Sequence, residues 1–253
     1  MIRTSELTKR FGKLAAVDRL TMEIESGELF GFLGPNGAGK TTTINMLTGL
    51  IRPTSGAASI CGYDVQTQSR LAKSITGLMP DTPQLYDTLT GRQFVRLIAD
   101  LYEVPPKQSE ERMEGMLDML DLRDVGGDLI KSYSYGMQKK ILLVAVLIHA
   151  PRVLFLDEPT SGLDPKSART VKEMLREQCD LGCTVFMTTH ILEIAERVCD
   201  RIGIIDKGRL VAVGTMSELR KHSAASDQSL EDIFLDLTGD AEFNTIEKGE
   251  GLL

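Results

Sequence analysis

An α/β fold carrying a helical insert is what this sequence predicts, on three observations. An apolar segment, Glu28–Phe32, runs into a glycine loop and then into a helix from about Lys40 to Gly49. The order strand, helix, strand returns later, with apolar runs at Val153–Leu156 and Val185–Thr188 on either side of a helical stretch. Between these two halves, from about Pro80 to Ile148, apolar residues recur at helical spacing.

Taken in order, Ile2–Leu7 and Ala16–Ile24 read as strands ahead of the buried strand Glu28–Phe32. In the insert, Phe94, Leu97, Ile98, Leu101 and Tyr102 fall on one helical face, and so do Met113, Met116, Leu117 and Leu120. Val104–Pro106 separates the two helices, because proline lacks the backbone donor that a continuing helix needs. Asp164-Pro165 supplies an N-cap and a first-turn proline, and Gly182 closes that helix. Ile202–Ile205 and Leu210–Val213 flank a "DKGR" turn and read as a hairpin. Thr215 and Glu218 have capping-box spacing, and Leu230–Leu237 is a short amphipathic helix.

The chain has 253 residues, 42% hydrophobic, enough for one large domain or two small ones. Its longest apolar run, Ile141–Ile148, is far too short to cross a bilayer, and "MIRTSELTKR" contains no signal-peptide core. Eight acidic residues between Asp227 and Glu250 face only Lys248, so this end alone accounts for the net charge of −7. The segment after Gly239 is expected to be disordered, and the nearly neutral remainder is unlike a nucleic-acid binder. Cys61, Cys179, Cys183 and Cys199 lack metal-site spacing and read as reduced, core-packing thiols, Cys179 and Cys183 across a helix end.

"GPNGAGKT", Gly34–Thr41, fits G-x-x-x-x-G-K-[ST] and sits between a buried strand and a helix, the context the motif requires. Its glycines let backbone N–H groups curl round phosphates, Lys40 reaches the β- and γ-phosphates, and Thr41 is a Mg²⁺ ligand. In "VLFLDEPTSGLDP", Asp157 ends a buried strand where a carboxylate can hold Mg²⁺. Glu158 follows as the candidate base for an attacking water. His190, just past the strand Val185–Thr188, is placed to reach the γ-phosphate or that water; His149 and His222 have no such placement and read as structural. "YSYGMQ", Tyr133–Gln138, is a second glycine-bearing turn opening a helix, and so a second anion site. Phe11 is either a platform for a purine base or a core residue.

In the order "GPNGAGKTT", "YSYGMQ", "LDEPTSGLDP", "TTH", the chain from Met1 to about Gly239 resembles the ATP-binding subunit of an ABC transporter. The resemblance implies a P-loop NTPase with a mixed central sheet, an N-terminal antiparallel β-subdomain and an inserted helical subdomain at about 80–148. It implies ATP and Mg²⁺, with the nucleotide held by Phe11, Gly34, Pro35, Asn36, Gly37, Ala38, Gly39, Lys40, Thr41 and Thr42. It also implies two subunits packed head to tail, as a homodimer or a heterodimer. Ser134 and Gly136 would then contact the partner's ATP, and Ser161–Asp164 would form a loop across the interface. Two motifs depart from the family pattern. The signature "LSGGQ" has Tyr135 at its first glycine and Met137 at its glutamine, and the Q-loop position is Asp81, a shorter metal or water ligand, with Gln84 as substitute. The ending "SLEDIFLDLTGD" is similar to subunits that drive drug, lipid or polysaccharide export through separate permease subunits at the cytoplasmic face of the membrane. A groove from Asp81 to about Tyr102 would receive the permease. An importer subunit and a soluble ABC-type ATPase acting on a protein assembly are the alternatives. Only one "GKT" occurs and no "NKxD" motif is present, against two-cassette translation factors and GTPases.

Overall fold

The computed structural model describes residues 1–222 and 229–238, and of His222 the backbone alone. Asp227 and the acidic stretch from Gly239 onward lie outside the described residues. The chain opens with strands β1 (Ile2–Phe11), β2 (Leu14–Ile24) and β3 (Leu29–Leu33) and helix α1 (Lys40–Leu47). Strands β4 (Ser55–Ile60) and β5 (Tyr63–Asp64), helix α2 (Ser69–Ser74) and strand β6 (Thr76–Met79) follow. The helices α3 (Gly91–Leu101), α4 (Pro106–Met119) and α5 (Tyr135–Leu147) come next. Then β7 (Val153–Asp157), α6 (Pro165–Asp180), β8 (Thr184–Thr189) and α7 (Leu192–Val198) alternate. The hairpin β9 (Arg201–Asp206) and β10 (Arg209–Gly214) precedes α8 (Met216–His222) and α9 (Leu230–Thr238).

Two sheets result. A four-stranded antiparallel sheet has the order β2-β1-β4-β5; a six-stranded mixed sheet has the order β10-β9-β3-β8-β7-β6, with only β10 antiparallel to its neighbour. Side chains alternate across β7. Val153 and Phe155 enter the core between the two sheets, whereas Leu154 and Leu156 enter the core shared with α3, α4 and α5. Phe186 is the centre of the first core, with Phe30, Phe32 and Phe155 at 5.8, 5.2 and 5.6 Å between ring centroids. Helix α1 buries Ile44, Met46 and Leu47 in that core, so the loop that opens α1 stands on a rigid base.

Local chemistry explains the element ends. Thr90 and Gln93 form a reciprocal capping box at α3, Pro106 takes the first turn of α4, and Asp164 caps α6 through the Ser167 amide. Thr215 and Glu218 exchange hydrogen bonds at α8, as their spacing predicts. The first strand runs past the expected Leu7 to Phe11, because the tight turn at Gly12 keeps residues 9–11 paired with β2. Strand β4 carries little apolar pattern of its own and forms on the free edge of β1, with Ile2 opposite Ile60 and Thr4 opposite Ala58. Cys179 and Cys183 are buried at the C-terminal end of α6; Cys61 and Cys199 are partly buried, and all four are free thiols. No helix among the described residues is long and apolar enough to cross a membrane.

Candidate functional site

The parallel register brings three strand ends level. Leu33 pairs with Thr189 and Asp157 with Thr188, so the glycine loop after β3, the carboxylates at the end of β7 and His190 after β8 emerge at one edge of the sheet. This is where parallel sheets bind ligands. Gly39, the residue before α1, has φ of +111°, and a Cβ there would collide with the Ala16 carbonyl, so only glycine fits the turn.

Asp157 is buried and fully engaged. One oxygen accepts from Thr41 Oγ1 at 2.7 Å, and the other accepts from Thr188 Oγ1. Thr188 also accepts from the Glu158 amide at 3.2 Å, tying the two carboxylate residues to β8. Glu158 has φ of +52°, in the left-handed region that side-chain-bearing residues rarely adopt. Its Oε1 lies 2.9 Å from His190 Nδ1. With the carboxylate ionised, that nitrogen carries the proton and donates it. Lys40 Nζ donates to the carbonyls of Gly34 at 2.6 Å and Pro35 at 3.1 Å. Burial lowers the Lys40 ammonium from its ordinary value, and the charges of Glu158 and Asp157 act in the opposite sense. Lys40, Thr41, Asp157 and Glu158 border a cavity of about 230 Å³ also lined by Ala16, Asn36, Gly37, Gly39, Thr42 and Asp81; His190 is not part of its lining.

The donor set fits a hard divalent cation. A threonine hydroxyl and a buried carboxylate stand in hydrogen-bond contact at the mouth of a phosphate loop, and both are oxygen ligands of the kind Mg²⁺ takes. Asp81, the third expected metal ligand, has a different neighbour. It borders the cavity, but its Oδ1 lies 3.3 Å from the ammonium of Lys139.

The second turn opens α5. Ser134 caps α5 by accepting from the Met137 amide at 3.3 Å, and neither Ser134 nor Gly136 lines the cavity that Lys40 borders. Gly136 faces Gly162 and Leu163, where an added Cβ would make ordinary contacts at 3.5 and 3.6 Å. Phe11 is 53% exposed at the tip of the β1–β2 hairpin, with Lys9 Nζ 5.1 Å from its ring centroid. It is therefore not a core residue.

A family model described as ABC transporter matches residues 17–161. The chain belongs to the ABC transporter family. It is 37% identical over 243 residues to the probable multidrug ABC transporter ATP-binding protein YbhF of Escherichia coli (strain K12), covering 95% of this chain and 42% of that one. The chain thus spans less than half the length of that relative. It is 36% identical over 219 residues to the linearmycin resistance ATP-binding protein LnrL of Bacillus subtilis (strain 168), covering 87% of this chain and 70% of that protein. Among solved structures, an ATP-binding subunit of an ABC transporter superposes with a TM-score of 0.90 at 31% identity, covering 94% of this chain and 99% of that one.

Two polar residues of this ABC transporter chain escaped the motif reading. Thr188 sits in an apolar strand run, where a β-branched residue reads as packing; its signal was adjacency to Thr189 and His190 in "TTH". Lys139 follows the signature turn in "MQKK" and reads as a solvated charge, yet its side chain is wholly buried. No sequence pattern separates it from the neighbouring Lys140.

Proposed function

We propose that this chain is the ATP-binding and ATP-hydrolysing subunit of an ABC exporter. Two copies close head to tail on two ATP molecules, and separate membrane-spanning subunits carry the cargo. One observation carries the reading: the chain holds two glycine-bearing turns that open helices, and the second, at Ser134 and Gly136, stays outside the cavity bordered by the first. A helix N-terminus built like a phosphate site that does not line its own chain's phosphate cavity is accounted for when it meets the γ-phosphate held by another copy.

Within one site the roles follow from the contacts. The loop amides and Lys40 bind the triphosphate, and Thr41 with Asp157 would hold Mg²⁺, which when bound neutralises the phosphate charge. Glu158 accepts a proton from the attacking water, and His190 orients the Glu158 carboxylate. Phe11, exposed at the tip of the chain's first hairpin, offers its face to the purine. A groove of about 580 Å³ between β6 and the helices α3 and α5, lined in part by Gln84, Tyr86, Phe94, Tyr102 and His149, is the seat for a permease segment at the cytoplasmic membrane face. Export is favoured over import because YbhF is named for multidrug transport and LnrL for linearmycin resistance.

The test is the purified chain with ATP and Mg²⁺. Hydrolysis by the wild type is expected, and Glu158→Gln should accumulate an ATP-loaded dimer on size-exclusion chromatography that ADP does not produce. General-base loss slows the chemical step by typically about 10²–10⁴-fold. A Glu158→Gln chain that turns over at the wild-type rate would remove Glu158 from the role of base.

A further inference from the structure

Two of the positions at which this chain departs from its family's motifs, Tyr135 and Asp81, touch each other. The Tyr135 hydroxyl donates to the Asp81 carbonyl at 3.1 Å. The Tyr135 ring packs against Gly162, whose φ is +74° and where an added Cβ would sit 2.7 Å from two ring carbons. Next to the same ring lies Lys139. Its side chain is 0% exposed, and Nζ stands 5.4 Å from the Tyr135 centroid. Nζ donates to the Glu158 carbonyl at 2.7 Å and to Asp81 Oδ1 at 3.3 Å. A buried ammonium is tolerated only where hydrogen bonds, opposite charge or a ring face replace its hydration, and here all three do.

We propose that Lys139 is a positioning residue for the hydrolytic centre, clamping the carbonyl of Glu158, with Asp81 as its counter-ion and not a metal ligand. Glu158 is in a strained backbone conformation, and such strain persists only where the surroundings over-determine it. The Glu158 amide is held by Thr188 and its carbonyl by Lys139, so both sides of the strained residue are tied down. Lys139 also rides on α5, the helix that Ser134 caps. It therefore links the candidate base of one ATP site to the turn that serves the other. The inference rests on Glu158 acting as the base.

Three measurements test it on the full chain. Lys139→Met, which keeps length and removes charge, is expected to lower kcat for ATP by about 10–100-fold through misplacement of Glu158. KM for ATP should stay within about threefold, and Lys139→Arg should restore most of kcat. An unchanged kcat, or a loss expressed in KM alone, overturns the positioning role. In the second arm, Asp81→Asn should leave the half-saturating Mg²⁺ concentration within about twofold, because a ligand lost from the metal would raise it. A tenfold rise overturns the counter-ion assignment, and this arm stands whatever Lys139→Met does to folding. The third arm needs no turnover. In thermal unfolding without nucleotide, Asp81→Asn should lower Tm by about 2–4 °C in the wild-type chain and by much less in the Lys139→Gln chain. Equal shifts in both backgrounds mean the two residues are not coupled and overturn the pair. A wild type without ATPase activity would instead count against the proposed function, and the thermal cycle would still decide the ion pair.

Discussion

Lys40 rests its ammonium on two carbonyls of its own loop, close to the buried carboxylate of Asp157 and the strained Glu158. Lys40→Ala removes the one side-chain cation of that loop. A charge-assisted hydrogen bond contributes about 1.5–3 kcal/mol, so ATP binding should weaken by about 10–100-fold with the circular dichroism spectrum unchanged. Titration with a fluorescent ATP analogue checks this, and wild-type affinity in a folded variant would take Lys40 out of the site. Thr188→Val keeps shape but removes the hydroxyl that donates to Asp157 and accepts from Glu158. Leaving a buried carboxylate oxygen without that donor should cost about 1–3 kcal/mol of unfolding free energy in urea. The motif residues were legible because glycine, lysine, threonine and paired acids have few structural uses at that spacing. Thr188 and Lys139 were not, because a threonine in a strand and a lysine on a helix are ordinary, and only the packing of β7 against β8 and of α5 against the Asp81 segment gives them partners.

The helices above the sheet obey simple end chemistry, and α3 tests it most cleanly. Thr90→Ala breaks the capping box with Gln93 and is expected to cost about 1 kcal/mol, read as a lower urea midpoint with unchanged m-value. His149, just after α5, stacks on Tyr102 with 3.7 Å between centroids, and burial pushes its imidazole down to about 4 from 6.5. Its folded form resists protonation, so between pH 6.5 and 4 the unfolded chain binds the proton more readily. Stability contributed by the neutral ring is thus present above pH 6.5 and lost as pH falls through that window. His149→Leu should lose less stability than wild type between pH 7 and pH 5, by on the order of 1 kcal/mol in paired urea titrations. An identical acid slope would mean that the ring protonates freely in the fold. At this scale the sequence placed β3, β7, β8, the C-terminal hairpin and the capped helices within a residue or two. It missed β4, β5, β6, α2 and α7; the three strands are short or weakly apolar and are held by β1, β4 and β7 and not by their own pattern.

In the whole molecule, the two turns open helices that root in different cores. The glycine loop stands on α1 between the sheets, and the Ser134 turn stands on α5 among the helices. The dimeric arrangement was readable only through the resemblance of the motif order to ABC transporter ATP-binding subunits, which implies that one chain presents half of each of two sites. In the proposed homodimer each ATP would meet a phosphate loop from one copy and a Ser134–Gly136 turn from the other. The most direct test mixes two inactive chains, Lys40→Ala and Gly136→Asp, after mass-tagged copies have shown that subunits exchange. In a shared-site dimer, the mixed pair places both lesions at one ATP site and leaves the other intact. ATPase activity should therefore reappear, up to roughly a quarter of the wild-type rate with random mixing and independent sites. A mixture as inactive as each variant alone would mean that the loop and the turn serving one ATP belong to the same chain.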